Sequence, residues 1–404
     1  RITYLHQYFN TPEMAGGTRS YELARRLVAK GHEVNMITSW RGESGSREWF
    51  ETEESGIRVH WLPMPYSNDM GYWKRLQAFL QFALKAARKA AGIPTDVVFA
   101  TSTPLTIAVP GLYAMRRRKV PMVFEVRDLW PDGPYAMGAL KSKSTLYAAR
   151  ILEALAYRKA ARIVVLTPTM RDFLSGKGVS FEKMSVIPNF AVLSGFCPGP
   201  AVEARMARRH LLYCGGLGPA HGPQYLVDLA FELDRIDAGV VIDVLGDGRL
   251  RSELEQQATT QGCLNRSIIF HGKVPKRHVR EHYMRCVASI MTICDTPLLY
   301  RHSVQNKFFD SIAAGRPVFA NYEGWVSEIA ERAGAGWIID REDANKAAQQ
   351  IKRIIENVHD LRKAQEAALR LAQERFEPDA LTTKLEAVLI DCLQPTVKRE
   401  KGQG

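Results

Sequence analysis

The run His210-Leu211-Leu212-Tyr213-Cys214-Gly215-Gly216-Leu217-Gly218-Pro219-Ala220-His221-Gly222 decides the fold. Its first five residues read as a buried strand, four glycines follow within eight residues, and a helical pattern opens at Gln224. A strand that passes through a glycine-rich turn into a helix N-terminus lets backbone N–H groups approach a phosphate. The alternation continues with a strand at Val240–Gly246, a helix at Arg249–Gln261 and a strand at Ile268–His271. Ala288–Cys294, Pro317–Asn321 and Gly336–Ile339 extend the series. Strand and helix alternating in this way predict a doubly wound α/β domain.

The same order stands at the start of the chain. Ile2–His6 reads as a strand, Gln7–Gly17 as a loop, Thr18–Lys30 as a helix ended by Gly31, and Glu33–Thr38 as the next strand. Arg58–Leu62, Asp96–Thr101, Met122–Val126 and Arg162–Leu166 add strands, and Val186–Phe190 closes the series. Between them Trp73–Ala91 is a long amphipathic helix, with Trp73, Leu76, Phe79, Leu80, Ala83, Leu84 and Ala87 on one face. Pro198, Gly199 and Pro200 mark a linker near 191–208. The tail from Ala344 to Leu393 reads as helix throughout, kinked at Phe376–Asp379, where Glu377 precedes Pro378. The expected organisation is two Rossmann-like domains, 1–195 and 196–376, followed by a C-terminal segment, 377–404. Ligands of open α/β sheets bind outside the carboxyl ends of the strands, so the site belongs in the cleft between the domains.

Apolar residues at 46% and charged residues at 24% describe a globular chain. The longest apolar runs fall short of a membrane span, and Pro110 interrupts the one at Ile107–Met115. The beginning reads as a strand, not a secretory signal, and a start Met is expected upstream of Arg1. Six scattered cysteines without a Cys-x-x-Cys pair suit reduced packing thiols in a cytoplasmic protein. The net charge of +12 is uneven: residues 1–195 carry 27 Lys/Arg against 16 Asp/Glu, and residues 196–404 carry 28 against 27. An anionic partner for the first half follows, whether lipid headgroups, phosphates or nucleic acid; a solvated basic surface is the alternative. Lys74, Arg75, Lys85, Arg88 and Lys89 flank the amphipathic helix, and Arg116-Arg117-Arg118-Lys119 forms a second basic run. These predict peripheral, salt-sensitive association with an anionic inner membrane surface, unless the apolar stripe packs on the sheet. No recognition helix, ribonucleoprotein motif or zinc module supports nucleic acid as a partner.

Four segments carry candidate chemistry. Gly16 and Gly17 sit between the first strand and helix, where the choice lies between a phosphate turn and a plain turn with a Thr18 cap. Gly215, Gly216 and Gly218 form the second turn, with His221 able to donate to a phosphoryl oxygen and Asp247 read as a helix cap. Asn306, Lys307 and Asp310 lie on one helix, Lys307 and Asp310 three apart. They suit a cation on a diphosphate and a carboxylate on ribose hydroxyls, or else a surface salt bridge. In Phe124-Glu125-Val126-Arg127-Asp128 polar residues end a buried strand; Glu125 needs a partner, and Arg127 is the nearest cation in the sequence.

In their order and spacing, PEMAGGTRSYELARRLVAKGHEV (12–34), FEVRDLWPD (124–132), VIPNF (186–190), LLYCGGLGPAHG (211–222), LGDGRLRSELE (245–255) and VQNKFFDSIAAGRPV (304–318) resemble retaining glycosyltransferase family 4. Within it the chain looks most like the amino-sugar transferases that build bacterial surface polysaccharides. The resemblance implies the GT-B fold, with a final helix crossing back to the first domain. It implies a nucleotide-sugar donor, UDP-linked in most members, retention of configuration, and a lipid-linked or saccharide acceptor. It sets Gly16 and Gly17 against the donor diphosphate, Gly215 to Gly218 against the phosphates from the other side, and Asp310 on the ribose. The family's first motif Glu falls at His302, a departure that leaves the donor-sugar hydroxyl contact unassigned. Where many relatives have His-Asp the chain has Arg127-Asp128, and the basic residue after the glycine turn is absent. No Asp-x-Asp pair occurs, so transfer without a metal or other cofactor is expected, with Lys307 and His221 answering leaving-group charge and Asp128 on the acceptor hydroxyl. A sugar-nucleotide 2-epimerase of the same fold is the alternative.

Overall fold

A computed structural model describes residues 1–14, 16–42, 48–64, 72–194, 209–274 and 276–394. The first sheet holds β1 (Ile2–Leu5), β2 (Val34–Trp40), β3 (Phe50–Glu54), β4 (Ile57–Pro63), β5 (Val97–Thr101), β6 (Met122–Val126), β7 (Arg162–Val165) and β8 (Met184–Val186). Their order is β3-β4-β2-β1-β5-β6-β7-β8, parallel except for the β3–β4 hairpin. The second sheet holds β9 (Arg209–Cys214), β10 (Val240–Leu245), β11 (Ile268–Gly272), β12 (Ala288–Met291), β13 (Val318–Ala320) and β14 (Gly336–Ile338). It is parallel in the order β11-β10-β9-β12-β13-β14. The direction of winding reverses between β1 and β5 and between β9 and β12, and both glycine turns leave from those points. This is the GT-B arrangement. The expected linker lies mostly at 195–208, outside the described residues.

The edge strand β3 was not anticipated, because Glu51, Glu53 and Glu54 mask its pattern. Its inner face nevertheless packs: Phe50 stacks on Trp61 at 6.3 Å, and Trp61 Nε1 donates to Thr52 Oγ1 at 2.8 Å.

The helix Tyr72–Gly92 forms, but rotated from the expected face. Ala78, Phe82, Ala83, Ala86, Ala87 and Ala90 are buried, whereas Leu80 and Leu84 are 47% and 62% exposed. Small side chains let it approach the helix Ala108–Arg118 closely, which turns the two leucines outward.

The tail is three helices: Ala344–Glu356, Val358–Arg375 and Pro378–Asp391. The first break, at Asn357, was missed; its side chain accepts from Asp360 N at 3.2 Å and caps the next helix. The second falls at Phe376–Glu377, as expected. Helix Pro378–Asp391 returns to the first domain, where Leu381, Leu385 and Leu389 join the core of Tyr4, Leu23, Leu27 and Val34. Glu386 accepts from Lys30 at 2.9 Å and His32 at 2.7 Å, which fixes its register. Among the described residues no helix is long and apolar enough to cross a membrane.

One charged pair is wholly enclosed. Glu125, on central strand β6, accepts from Arg19 Nη2 at 2.8 Å and Nε at 3.1 Å, and from Thr101 Oγ1. Arg19 also donates to the carbonyls of Ile187 and Pro188. The partner of Glu125 is thus Arg19, 106 residues away, not its sequence neighbour Arg127. Burial alone would raise the Glu125 pKa; the charges of Arg19 and Arg127, with the hydrogen bonds of Thr101 and Arg19, hold it below the usual value. Glu125→Gln strands the guanidinium without its counter-charge. It should cost about 3 kcal/mol or more in chemical denaturation; a loss below about 1 kcal/mol would contradict this account of the pair.

Candidate active site

The two glycine turns line one cavity in the interdomain cleft. Within the second domain a Cβ on Gly246 (φ +144°) would lie 1.8 Å from the Gly215 carbonyl oxygen, so the turns after β9 and β10 nest only because residue 246 is glycine. From the other domain a Cβ on Gly17 would lie 2.7 Å from Asn306 Nδ2. Asn306 Oδ1 accepts from Asn189 Nδ2 at 2.9 Å, a direct hydrogen bond between the domains. Thr18 makes no side-chain cap, so the plain capped turn is not what forms.

A polar cavity of about 680 Å³ opens between these turns. Gly16, Gly17, Asp128, Gly215, Gly216, His221, Asn306, Lys307 and Asp310 all line it. Two expected residues do not. Gly218 is turned into the 3-10 segment Pro219–His221, and Arg127 points to His6, with Nη1 3.4 Å from His6 Nε2.

Lys307 dominates the electrostatics. It is 8% exposed, and its Nζ makes no hydrogen bond among the described residues. The ammonium lies 3.6 Å from the centroid of the Tyr213 ring, and a Cβ on Gly215 would come within 3.0 Å of it. Salt-bridging to Asp310 is therefore not its role. Burial lowers its pKa to about 7, against a small opposite pull from Cys214. A cation desolvated beside a glycine turn gains most when an anion enters that turn. His221 is partly buried on the same wall, its enclosed Nδ1 without a partner among the described residues; burial and the Lys307 charge lower its pKa to about 4. It is a neutral ring with a hydrogen bond to give. Asp310 lies one helical turn beyond Lys307, on the same cavity wall.

A second, apolar cavity of about 550 Å³ adjoins the first within the N-terminal half. Leu76, Phe79, Leu80, Leu129, Trp130, Met137, Leu140 and Leu152 line it, and Leu298 closes it from the other domain. Asp128 and Ser303 border both cavities. Asp128 is exposed and accepts from Thr103 Oγ1 at 2.7 Å. His302 lines the apolar side, its ring 5.4 Å from Phe173, and so does not substitute in the polar cavity for the missing Glu. Asp247 was expected to cap a helix; it instead accepts from its neighbour Gly248 N at 2.8 Å and lines the polar cavity, because the helix starts only at Arg251. Asn189, Tyr213 and Arg19 were missed as site-building residues. Their signal was present only as the Asn of VIPNF and as the unpaired Glu125.

A family model described as "Glycosyl transferase 4-like domain" matches residues 15–189, and one described as "Glycosyl transferases group 1" matches residues 208–357. The chain is a family-4-type glycosyltransferase. No curated protein matches its sequence. Among solved structures it is similar to the Anabaena protein HepE, solved with UDP and glucose, at 17% identity and TM-score 0.71 over 96% of this chain and 99% of that one. Sucrose-phosphate synthase from Thermosynechococcus elongatus aligns at 16% identity and TM-score 0.75 over 96% and 98%. WaaG, a glycosyltransferase of lipopolysaccharide biosynthesis, aligns at 15% identity and TM-score 0.70 over 96% and 99%. At these identities the likeness is one of fold.

In this glycosyltransferase, Lys307→Ala should lower kcat by about 10²-fold or more while leaving circular dichroism unchanged, the scale of losing one preorganised donor to a developing charge. An unchanged kcat in a folded variant would return Lys307 to a packing role.

Proposed function

We propose that this glycosyltransferase moves a sugar from a UDP-linked donor to a lipid-linked saccharide at the inner face of the bacterial cytoplasmic membrane, with retention of configuration and without a catalytic metal ion. The resemblance to the amino-sugar branch extends the reading to an N-acetylated amino sugar and to surface-polysaccharide synthesis. The observation that carries it is the pairing of cavities: a polar one with a bare buried cation and an apolar one, sharing Asp128 at their border. An epimerase would have no use for the second.

In the donor cavity Lys307, the Gly216 amide and the His221 ring receive the diphosphate, and Asp310 receives the ribose. As the bond from the anomeric carbon to the diphosphate oxygen breaks, negative charge grows on that oxygen, and Lys307 answers it without reorganisation. The acceptor hydroxyl, oriented by Asp128, attacks the same face, and its proton passes to the departing diphosphate.

The membrane side of the reading rests on the N-terminal half. Leu80 both lines the apolar cavity and is exposed, with Leu84 beside it on the outer face of helix Tyr72–Gly92. Tyr113 is exposed on the neighbouring helix, and Lys74, Lys85, Arg88, Arg116 and Arg117 are exposed cations of the same two helices. Lys89 is engaged with Glu51 at 2.9 Å and does not belong to that face. The side chain of Arg75 lies outside the described residues. Each cation near an anionic leaflet adds about 1 kcal/mol of attraction.

The test is transfer from a panel of UDP-sugars to a polyprenyl-phosphate-linked saccharide in vesicles of rising anionic-lipid content, with Mg²⁺ and Mn²⁺ omitted. Product should form with the donor's anomeric configuration, faster on anionic vesicles and slower at high salt. An absolute need for added Mg²⁺ or Mn²⁺, conversion of UDP-sugar without acceptor, or a rate indifferent to lipid charge would each contradict the corresponding part.

A further inference from the structure

Away from the cleft, in the second domain, three histidines gather round one carboxylate. Asp243 is on β10, His210 on β9, His271 on β11 and His282 on the helix Lys276–Arg285. Asp243 Oδ1 is 2.7 Å from His271 Nε2, and Oδ2 is 2.6 Å from His210 Nδ1. The rings of His271 and His282 meet edge-on with centroids 5.0 Å apart. One ligand atom each from Asp243, His271 and His282 falls within 4.8 Å of the others.

The backbone is arranged for this convergence. Val244 pairs with Phe270 and Leu245 with Gly272, so His271 is the extra residue where the β10–β11 register shifts. A bulge of that kind re-aims one side chain out of the regular alternation. His271 is turned towards Asp243 and His282, and its partial exposure supplies an entry path from solvent.

We propose that Asp243, His271 and His282 form a divalent transition-metal site, with Zn²⁺ the ion that fits. Imidazole nitrogens and one carboxylate are a zinc donor set, and three protein ligands leave a fourth position for water. Ligands about 2.0–2.2 Å from zinc stand roughly 3.4 Å apart, so small ring rotations bring the three into place. His210 completes the arrangement by holding the second Asp243 oxygen, the outer-shell contact that orients a ligating carboxylate.

The site has a consequence for the cleft. Lys273 and Val274 lie two and three residues beyond His271, Val279 precedes His282 by three residues, and all three line the polar cavity. An ion held by His271 and His282 fastens both ends of that segment to β10. It acts on the shape of the cavity wall, not on the bond being broken. The site is independent of the donor reading, since it is tested by metal binding alone.

The experiment uses the whole chain without a histidine tag, stripped by chelator and titrated with Zn²⁺ by calorimetry and with Co²⁺ by visible absorption. One ion per chain is expected, with the intense cobalt bands of a four- or five-coordinate site. His271→Ala and His282→Ala should each lose both signals while keeping their circular dichroism. His278→Ala should keep both, which separates this site from a surface pair formed by His278 and His282 one helical turn apart. Absence of stoichiometric binding to the intact chain would overturn the proposal, as would loss in His278→Ala with retention in His271→Ala.

Discussion

The buried ion pair between Arg19 and Glu125 is the constraint on which the N-terminal wall of the site depends. Three segments separated in sequence meet on it: the start of the first helix just after Gly16-Gly17, the end of strand β6 just before Arg127-Asp128, and the exit of β8 at Ile187-Pro188. A guanidinium enclosed to this degree must satisfy its donors in fixed directions, because an unmet charge there is costly. Geometry follows from that demand. The glycine turn, the carboxylate of Asp128 and the Asn189 amide that reaches Asn306 are each one to three residues from Arg19, Glu125 or the Pro188 carbonyl that Arg19 holds.

The opposite wall is built on the reverse choice. Lys307 is buried nearly as well but has no ion-pair partner among the described residues, only the face of Tyr213. The fold tolerates this because burial lowers the Lys307 pKa to about 7, so the ammonium can lose its proton. One wall is thus rigid and electrically complete, and the other is electrically incomplete until an anion arrives. That asymmetry suits a cleft that must hold a diphosphate tightly while its charge rises.

Much of this was legible in the sequence because it was local. Glycines after a strand, the alternation of elements and the Asn306–Asp310 helix can each be read within a window of a dozen residues. What was not legible is what depends on the third dimension. Glu125 demanded a cation, but proximity along the chain offered Arg127 and the fold supplied Arg19. The stripe expected on helix Tyr72–Gly92 included Leu80 and Leu84, whereas packing buried its Ala83 and Ala87 together with Ala78, Phe82, Ala86 and Ala90, since close helix contact favours small residues. His302 fell in register with a motif position, yet its ring settled against Phe173 on the apolar side. The strand β3 hid behind its glutamates because an edge strand needs only one apolar face.

The central claim is that Lys307, with a pKa of about 7 in the free protein, gives up its proton above neutral pH and is recharged by the donor diphosphate. Calorimetry of UDP-sugar binding at pH 8, in two buffers of different ionisation enthalpy, measures it directly. A lysine with a pKa of about 7 in the free protein is mostly neutral at that pH. Binding should therefore take up about one proton per ligand in the wild-type chain and almost none in Lys307→Met. Tight binding with no proton uptake by the wild-type chain would contradict the account.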